Sequence, residues 1–173
     1  MTDSLKLRAG TEFPPMAWPQ AGGGEIDVAA TPGWRLVVVY RGRHCPLCKA
    51  YLETLDGLLD ELAAAGVSTL AVSADPKEKA EADVAEHGWR FPVGYALGID
   101  QMRALGLYIS QPTSSRETDR PFAEPGLFAI NPQGKVHIVD ISNAPFARPN
   151  LAGILNGIKY VQKKSYPIRG TLG

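Results

Sequence analysis

The sequence predicts an α/β fold, a mixed central sheet with helices on both faces. Three observations carry this. Two apolar, β-branched runs, 34–40 and 67–74, flank an amphipathic stretch over 46–65, the pattern of a parallel βαβ unit. Two later runs, Gly126–Ile130 and Lys135–Ile141, are joined by Asn131-Pro132-Gln133-Gly134, which signals an antiparallel hairpin. A last amphipathic stretch, from about Pro149 to Lys164, carries Leu151, Ile154, Leu155, Ile158 and Val161 on one face.

Residues 1–33 hold Pro14-Pro15, Pro19, Gly22-Gly23-Gly24 and Pro32-Gly33, and read as a loop-rich N-terminal extension with a short strand near Ile26-Asp27-Val28. They have too few apolar residues for a core of their own, so the expected organisation is one domain over 1–173. Residues 34–40 form a buried strand by length and flanks. The helix over 46–65 places Leu52, Leu55, Leu58, Leu59 and Leu62 on one stripe, with Pro46 in its first turn and Gly66 as its stop. Gly57 conflicts with an unbroken helix, at a cost of about 1 kcal/mol relative to alanine, so a bend is expected there. Val67 to Ala74 reads as a second buried strand. Asp75-Pro76 opens a polar helix ending at Gly88, followed by a strand near Phe91–Ala96 and a short helix from Asp100 to Leu105. Residues 108–124 are polar and irregular.

Eighteen basic side chains balance eighteen acidic ones. No global field draws the chain to nucleic acid or to an anionic membrane, and neither is expected as a partner. Met1-Thr2-Asp3-Ser4-Leu5-Lys6 has no apolar core of a signal peptide, and no apolar run reaches the ~20 residues of a spanning helix. The expectation is a reducing, cytoplasmic setting.

The two cysteines of the chain stand together as Cys45-Pro46-Leu47-Cys48, where the strand 34–40 ends and the helix begins. A thiol there is expected to be exposed, to face unpaired backbone N–H groups and to feel the positive end of the helix dipole. Cys45, at the helix start, is the expected attacking thiol, and Cys48, one turn inside and more covered, the resolving one. The thiolate is the reactive form, and its pKa in such motifs is commonly lowered to about 3.5–7.5. Arg41, Arg43, His44 and Lys49 are candidates to add positive potential, with Arg43 and His44 the supporting residues of choice. A disulfide within one turn closes a very short loop, so it can cycle without unfolding the domain. This chemistry needs neither metal nor organic cofactor.

A Cys-x-x-Cys beside a βαβ pattern resembles a thioredoxin-like redox motif. Val37-Val38-Val39-Tyr40-Arg41-Gly42-Arg43-His44-Cys45-Pro46-Leu47-Cys48 further resembles the active-site approach of the redoxins of the alkyl hydroperoxide reductase/thiol-specific antioxidant group, in their peroxiredoxin-like branch with Cys-x-x-Cys. Pro125-Gly126-Leu127-Phe128-Ala129-Ile130-Asn131-Pro132-Gln133-Gly134-Lys135-Val136 resembles their strand–turn–strand facing the active site. The resemblance covers roughly residues 10–165 and implies a thioredoxin-like fold and a thiol-dependent oxidoreductase. It also implies an external thiol reductant of thioredoxin or glutathione type, and a disulfide or hydroperoxide substrate. Typical members carry a proline and a threonine or serine where this chain has Val38 and Gly42, and an arginine where it has Pro125. Those groups orient and polarise the peroxide. Pro125 instead matches the cis-proline packed beside the dithiol of thioredoxins, so a cis Glu124–Pro125 bond is expected.

The favoured function is thiol–disulfide exchange through a Cys45/Cys48 cycle. The alternative within redox chemistry is hydroperoxide reduction through a Cys45 sulfenate. The alternative from another class is a redox-sensing or copper-binding module, with Cys45, Cys48 and a distal histidine as ligands. His44, His87 and His137 match no zinc-ligand spacing with the pair, and His137 reads as a sheet residue. Glu124, beside Pro125, reads as a surface carboxylate, with proton transfer to Cys48 as its functional reading.

Overall fold

The computed structural model describes residues 6–172. The expectation about the first five residues lies outside that range. In chain order the elements are β1 (Ala17–Pro19), β2 (Glu25–Asp27), β3 (Trp34–Val39), α1 (Pro46–Gly57), α2 (Leu59–Ala64), β4 (Val67–Val72), α3 (Lys77–His87), β5 (Val93–Gly94), α4 (Ile99–Ala104), β6 (Ile109–Ser110), β7 (Phe122–Ala123), β8 (Gly126–Ile130), β9 (Val136–Ile141) and α5 (Leu151–Lys164).

The central sheet has five strands in the order β5-β4-β3-β8-β9. β3 pairs parallel with β4, from Trp34 opposite Val67 to Val39 opposite Val72, as a βαβ unit requires. β3 pairs antiparallel with β8, and β8 antiparallel with β9, so the sheet is mixed. Alternation along β3 sorts the core into two layers. Leu36, Val38 and Tyr40 face α1, α2, α3 and α5 through Leu52, Leu55, Leu62, Ala80, Leu155 and Ile158. Val37 and Val39 face the other side, where α4 contributes Met102, and Leu105 follows it. The rest of that second face is covered by two small hairpins, β1–β2 and β6–β7, through Trp18, Ile26 and Phe122.

The single helix expected over 46–65 is two helices, broken at Leu58 immediately after Gly57. Gly88, with φ of +64°, caps α3 in the left-handed region, as its position suggested. The strand expected over 91–96 shrinks to Val93–Gly94, because only Ala71 and Val72 of β4 remain as its ladder partners. Residues 108–124, read as irregular, contain the β6–β7 ladder, in which Ile109 faces Ala123 and Ser110 faces Phe122. The loop-rich N-terminal stretch is pinned to the sheet by bridges from Glu12 to Lys135 and from Gln20 to Gly94.

Candidate active site

The site lies at the C-terminal end of β3, where the chain turns into α1. Cys45 is the N-cap of α1: its Sγ accepts the Cys48 N–H at 3.2 Å, and Pro46 occupies the first helical position, where no N–H is needed. Cys45 and Cys48 are disulfide-bonded, with Cα atoms 5.2 Å apart. The helix start therefore faces the sulfur of Cys45, as the sequence indicated. The exposure expected of a thiol at a helix start is not found in this oxidised form: Cys45 is 2% and Cys48 0% exposed. Both sulfurs sit in the core layer with Tyr40 and Trp89, while Pro46 and Leu47 face outward.

The four basic neighbours in sequence are held by other groups. Arg41 pairs with Glu124 at 3.0 Å and lies over the Phe122 ring, 4.9 Å from its centroid. Arg43 pairs with Asp83 and, at 2.8 Å, with Glu86, both on α3, and these carboxylates raise its pKa further. Lys49 Nζ is 3.7 Å from the same Asp83. His44 packs edge-on against Phe122 at 4.7 Å, with neither ring nitrogen hydrogen-bonded. Burial pushes its imidazole below the ordinary value, and the charges of Arg41 and Lys79 add to that. Glu117 acts against them, and on balance the neutral imidazole is favoured.

The cation that reaches the dithiol is Arg148, from the loop before α5. Its Nη2 donates to Cys48 Sγ at 2.7 Å. The guanidinium lies over the Tyr51 ring at 4.8 Å, and Tyr51 Oη donates to the Pro149 carbonyl at 2.7 Å, which fixes the loop on α1. Burial lowers the pKa of Arg148 and raises that of Tyr51 to about 12. Arg148 Nε and Nη1 are buried without partners. Nothing near Cys48 in the sequence announces this residue, which lies 100 positions away; only its place just before the last helix could have marked it.

Pro125 immediately precedes β8 and lines one narrow niche with Val38, Tyr51, Arg148 and Pro149. Every peptide bond among the described residues is trans, so the cis bond expected at Glu124–Pro125 is not present. Glu124 and Pro125 link β7 to β8, and the Glu124 N–H donates to the Tyr108 carbonyl at 2.8 Å, continuing the β6–β7 pairing up to the proline. Glu124 is no surface carboxylate. It is 5% exposed, paired with Arg41, and accepts from Ser110 Oγ at 2.8 Å.

Residue 42, where the resemblance calls for a hydroxyl, is a glycine with φ of +137°. A Cβ there would lie 2.7 Å from Asp75 Oδ1. Neither the backbone nor the space admits a side chain.

His137, the distal histidine of the copper reading, lies against Trp34 at the far end of β3 from the dithiol. Among the described residues, the one group of three possible metal-ligand side chains is Asp83, Glu86 and His87. It excludes both cysteines, and two of its carboxylates already hold Arg43.

No curated protein matches the chain in sequence. Among solved structures it is similar to the peroxidoxin BcpB of Mycobacterium tuberculosis, at 16% identity over 90% of this chain and 98% of that one, with a TM-score of 0.75. A peroxiredoxin-like protein of Aquifex aeolicus is similar at 17% identity over 90% and 88%, with a TM-score of 0.76. A cysteine-to-serine variant of PrxQ of Xylella fastidiosa is similar at 17% identity over 90% and 98%, with a TM-score of 0.75. At these identities the likeness shows the thioredoxin-like fold of the peroxiredoxins. The family model of the AhpC/TSA family matches residues 9–139, which include the dithiol and β8. With a Cys-x-x-Cys pair at the start of α1 and this match over most of its length, the chain belongs to the AhpC/TSA family, as a thiol-dependent, peroxiredoxin-like redoxin.

Proposed function

We propose that this redoxin exchanges thiols with disulfides in preference to reducing hydroperoxides, with Cys45 attacking and Cys48 resolving. Residue 42 carries the preference. The hydroxyl that would orient a peroxide is replaced by a glycine whose side-chain space is filled by Asp75. A disulfide substrate needs no such group, since its leaving thiolate depends mainly on its own pKa and on access.

In the reduced protein, the Cys45 thiolate attacks one substrate sulfur and expels the first thiolate. The Cys48 thiolate then attacks Cys45 Sγ in the mixed disulfide and expels the second. Two electrons pass to the substrate, and the Cys45–Cys48 disulfide is left. In the return half-cycle an external thiolate attacks Cys45, and Cys48 leaves as a thiolate beside the Arg148 guanidinium. A second thiolate of the reductant then attacks the external sulfur of the mixed disulfide, frees the Cys45 thiolate and carries the disulfide away. The proposal includes a thioredoxin- or glutathione-type reductant and a reducing, cytoplasmic setting.

Stopped-flow oxidation of the reduced protein tests the ordering. Trp89, in the same core layer as both sulfurs, is a suitable fluorescent reporter. A small disulfide should react readily and hydrogen peroxide slowly. Loss of about 3 kcal/mol of charge stabilisation during O–O cleavage slows that step roughly a hundredfold. A peroxide rate exceeding the disulfide rate overturns the reading. It would favour hydroperoxide reduction through a Cys45 sulfenate, for which the unpaired Nε and Nη1 of Arg148 are the available donors.

A further inference from the structure

The turn that presents Cys45 is held from below by an acid from the loop between β4 and α3. Asp75 follows β4 and is 3% exposed. Its own N–H donates to Ser73 Oγ at 3.2 Å, and its Oδ2 accepts the Arg43 N–H at 2.7 Å. The carboxylate lies flat on Gly42, where a Cβ would meet Oδ1, Cγ and Oδ2 at 2.7, 3.1 and 3.1 Å. On the other side of the same turn, the Gly42 carbonyl accepts the Cys45 N–H at 3.2 Å. One hydrogen-bonded turn therefore separates the carboxylate from the N-cap sulfur. The Arg43 side chain is tied separately to Asp83 and Glu86, so Arg43 is anchored twice, by its backbone to Asp75 and by its guanidinium to α3.

A neutral acceptor would brace this turn without the cost of burying a charge. The carboxylate adds something a brace does not need: a negative charge on the inner side of a turn whose outer end must become a thiolate. We propose that Asp75 is a positioning residue for Cys45 that also opposes its ionisation, so that the carboxylate and the N-terminus of α1 together set the acidity of the attacking thiol. By filling the space at residue 42, Asp75 also keeps a hydroxyl out of the site. The inference rests on Cys45 being the attacking thiol.

Other charged groups face Asp75. Lys79 and Asp83 lie on α3, Arg120 on the loop before β7, and the Tyr40 hydroxyl on the segment leaving β3. Burial raises the pKa of Asp75, Asp83 adds to that, and the Arg43 N–H, Lys79 and Arg120 act against it. None of these groups is altered in the test.

The test is alkylation of Cys45 by iodoacetamide in the reduced protein, read by mass spectrometry across pH, for Asp75→Asn and Asp75→Ala. Asparagine keeps an oxygen for the Arg43 N–H and removes the charge. Its alkylation midpoint should fall by about 0.5 pH unit or more, with the high-pH rate unchanged. Alanine removes both. It should lower the midpoint and also reduce the high-pH preference for Cys45 over Cys48 by at least about threefold, since the turn loses its brace. A midpoint for Asp75→Asn that is unchanged or raised overturns the proposal. So does an Asp75→Asn protein that fails to fold, because the acceptor required for bracing is still present. If Asp75→Ala does not fold, the asparagine variant decides alone. Alkylation needs no disulfide substrate, so an absence of disulfide turnover beside the expected profiles would count against the proposed function and leave this inference standing.

Discussion

At the scale of single residues, the dithiol is served unevenly. Cys45 receives a backbone N–H, and Cys48 receives a guanidinium. The leaving sulfur in reduction is Cys48, so Arg148 acts where negative charge develops. A hydrogen bond to a charged group is worth about 1.5–3 kcal/mol, which at 1.36 kcal/mol per tenfold is roughly a ten- to hundredfold effect on rate. Arg148→Met keeps an unbranched apolar side chain and removes the donor together with the guanidinium over Tyr51. Reduction of its Cys45–Cys48 disulfide by an external thiol should slow by that factor, as measured by stopped-flow fluorescence, and an unchanged rate would remove Arg148 from the mechanism. His44 acts through stability. Burial depresses its folded-state pKa, and that of His137, below the unfolded value near 6.5. A histidine that resists protonation in the fold contributes stability that is full above the unfolded pKa and is lost as pH falls below it. Urea midpoints should therefore drop between about pH 7 and pH 5, the loss being smaller in His44→Asn and smaller again when His137→Asn is added. A double variant with the wild-type acid slope would refute this.

At the scale of elements, the strands and helices that bury a continuous apolar face were legible. β3, β8, β9 and α5 lie where their periodicity put them. The α1–α2 stretch shows how a local conflict is resolved. Leu52, Leu55 and Leu62 all reach the same core layer, so the stripe was correct, yet the helix breaks after Gly57. Gly57 itself ends α1 in helical conformation, and a Cβ there would meet nothing within 4 Å. Gly57→Ala should therefore stabilise the protein by roughly 0.5–1 kcal/mol, through propensity and a less flexible unfolded chain. The alkylation profile of Cys45 should not move. Equilibrium urea unfolding checks the first claim, and a destabilised variant would mean that the break needs glycine. The partners of the basic residues around the dithiol were not legible for a related reason. Sequence adjacency says which residues share a turn, whereas the carboxylates that capture Arg41, Arg43 and Lys49 come from Glu124, Asp83 and Glu86 on distant elements.

At the scale of the whole molecule, the dithiol was legible because its chemistry is local: two sulfurs, a proline and a helix start within four positions. Arg148, Asp75 and the burial of Glu124 were not, because each is created by topology that brings β4, β8 and the loop before α5 to one end of β3. The same topology separates redox change from global folding. The disulfide spans a sequence separation of 3, so it restricts the unfolded chain little, and the chain-entropy term is about 2 kcal/mol. Reduction returns part of that, since the freed sulfurs keep the N-cap and the Arg148 donor as partners. For a domain of this size, 1 kcal/mol moves Tm by roughly 2–4 °C. Reducing the protein should thus lower Tm by no more than about 4–8 °C, even before that compensation. In Arg148→Met the compensation is weakened, and the gap between oxidised and reduced Tm should widen. Paired calorimetric scans with and without reductant measure both quantities. A reduced wild type that melts far below this window would mean that the disulfide is a structural staple, and a gap that narrows in Arg148→Met would mean that the guanidinium favours the disulfide over the thiolate.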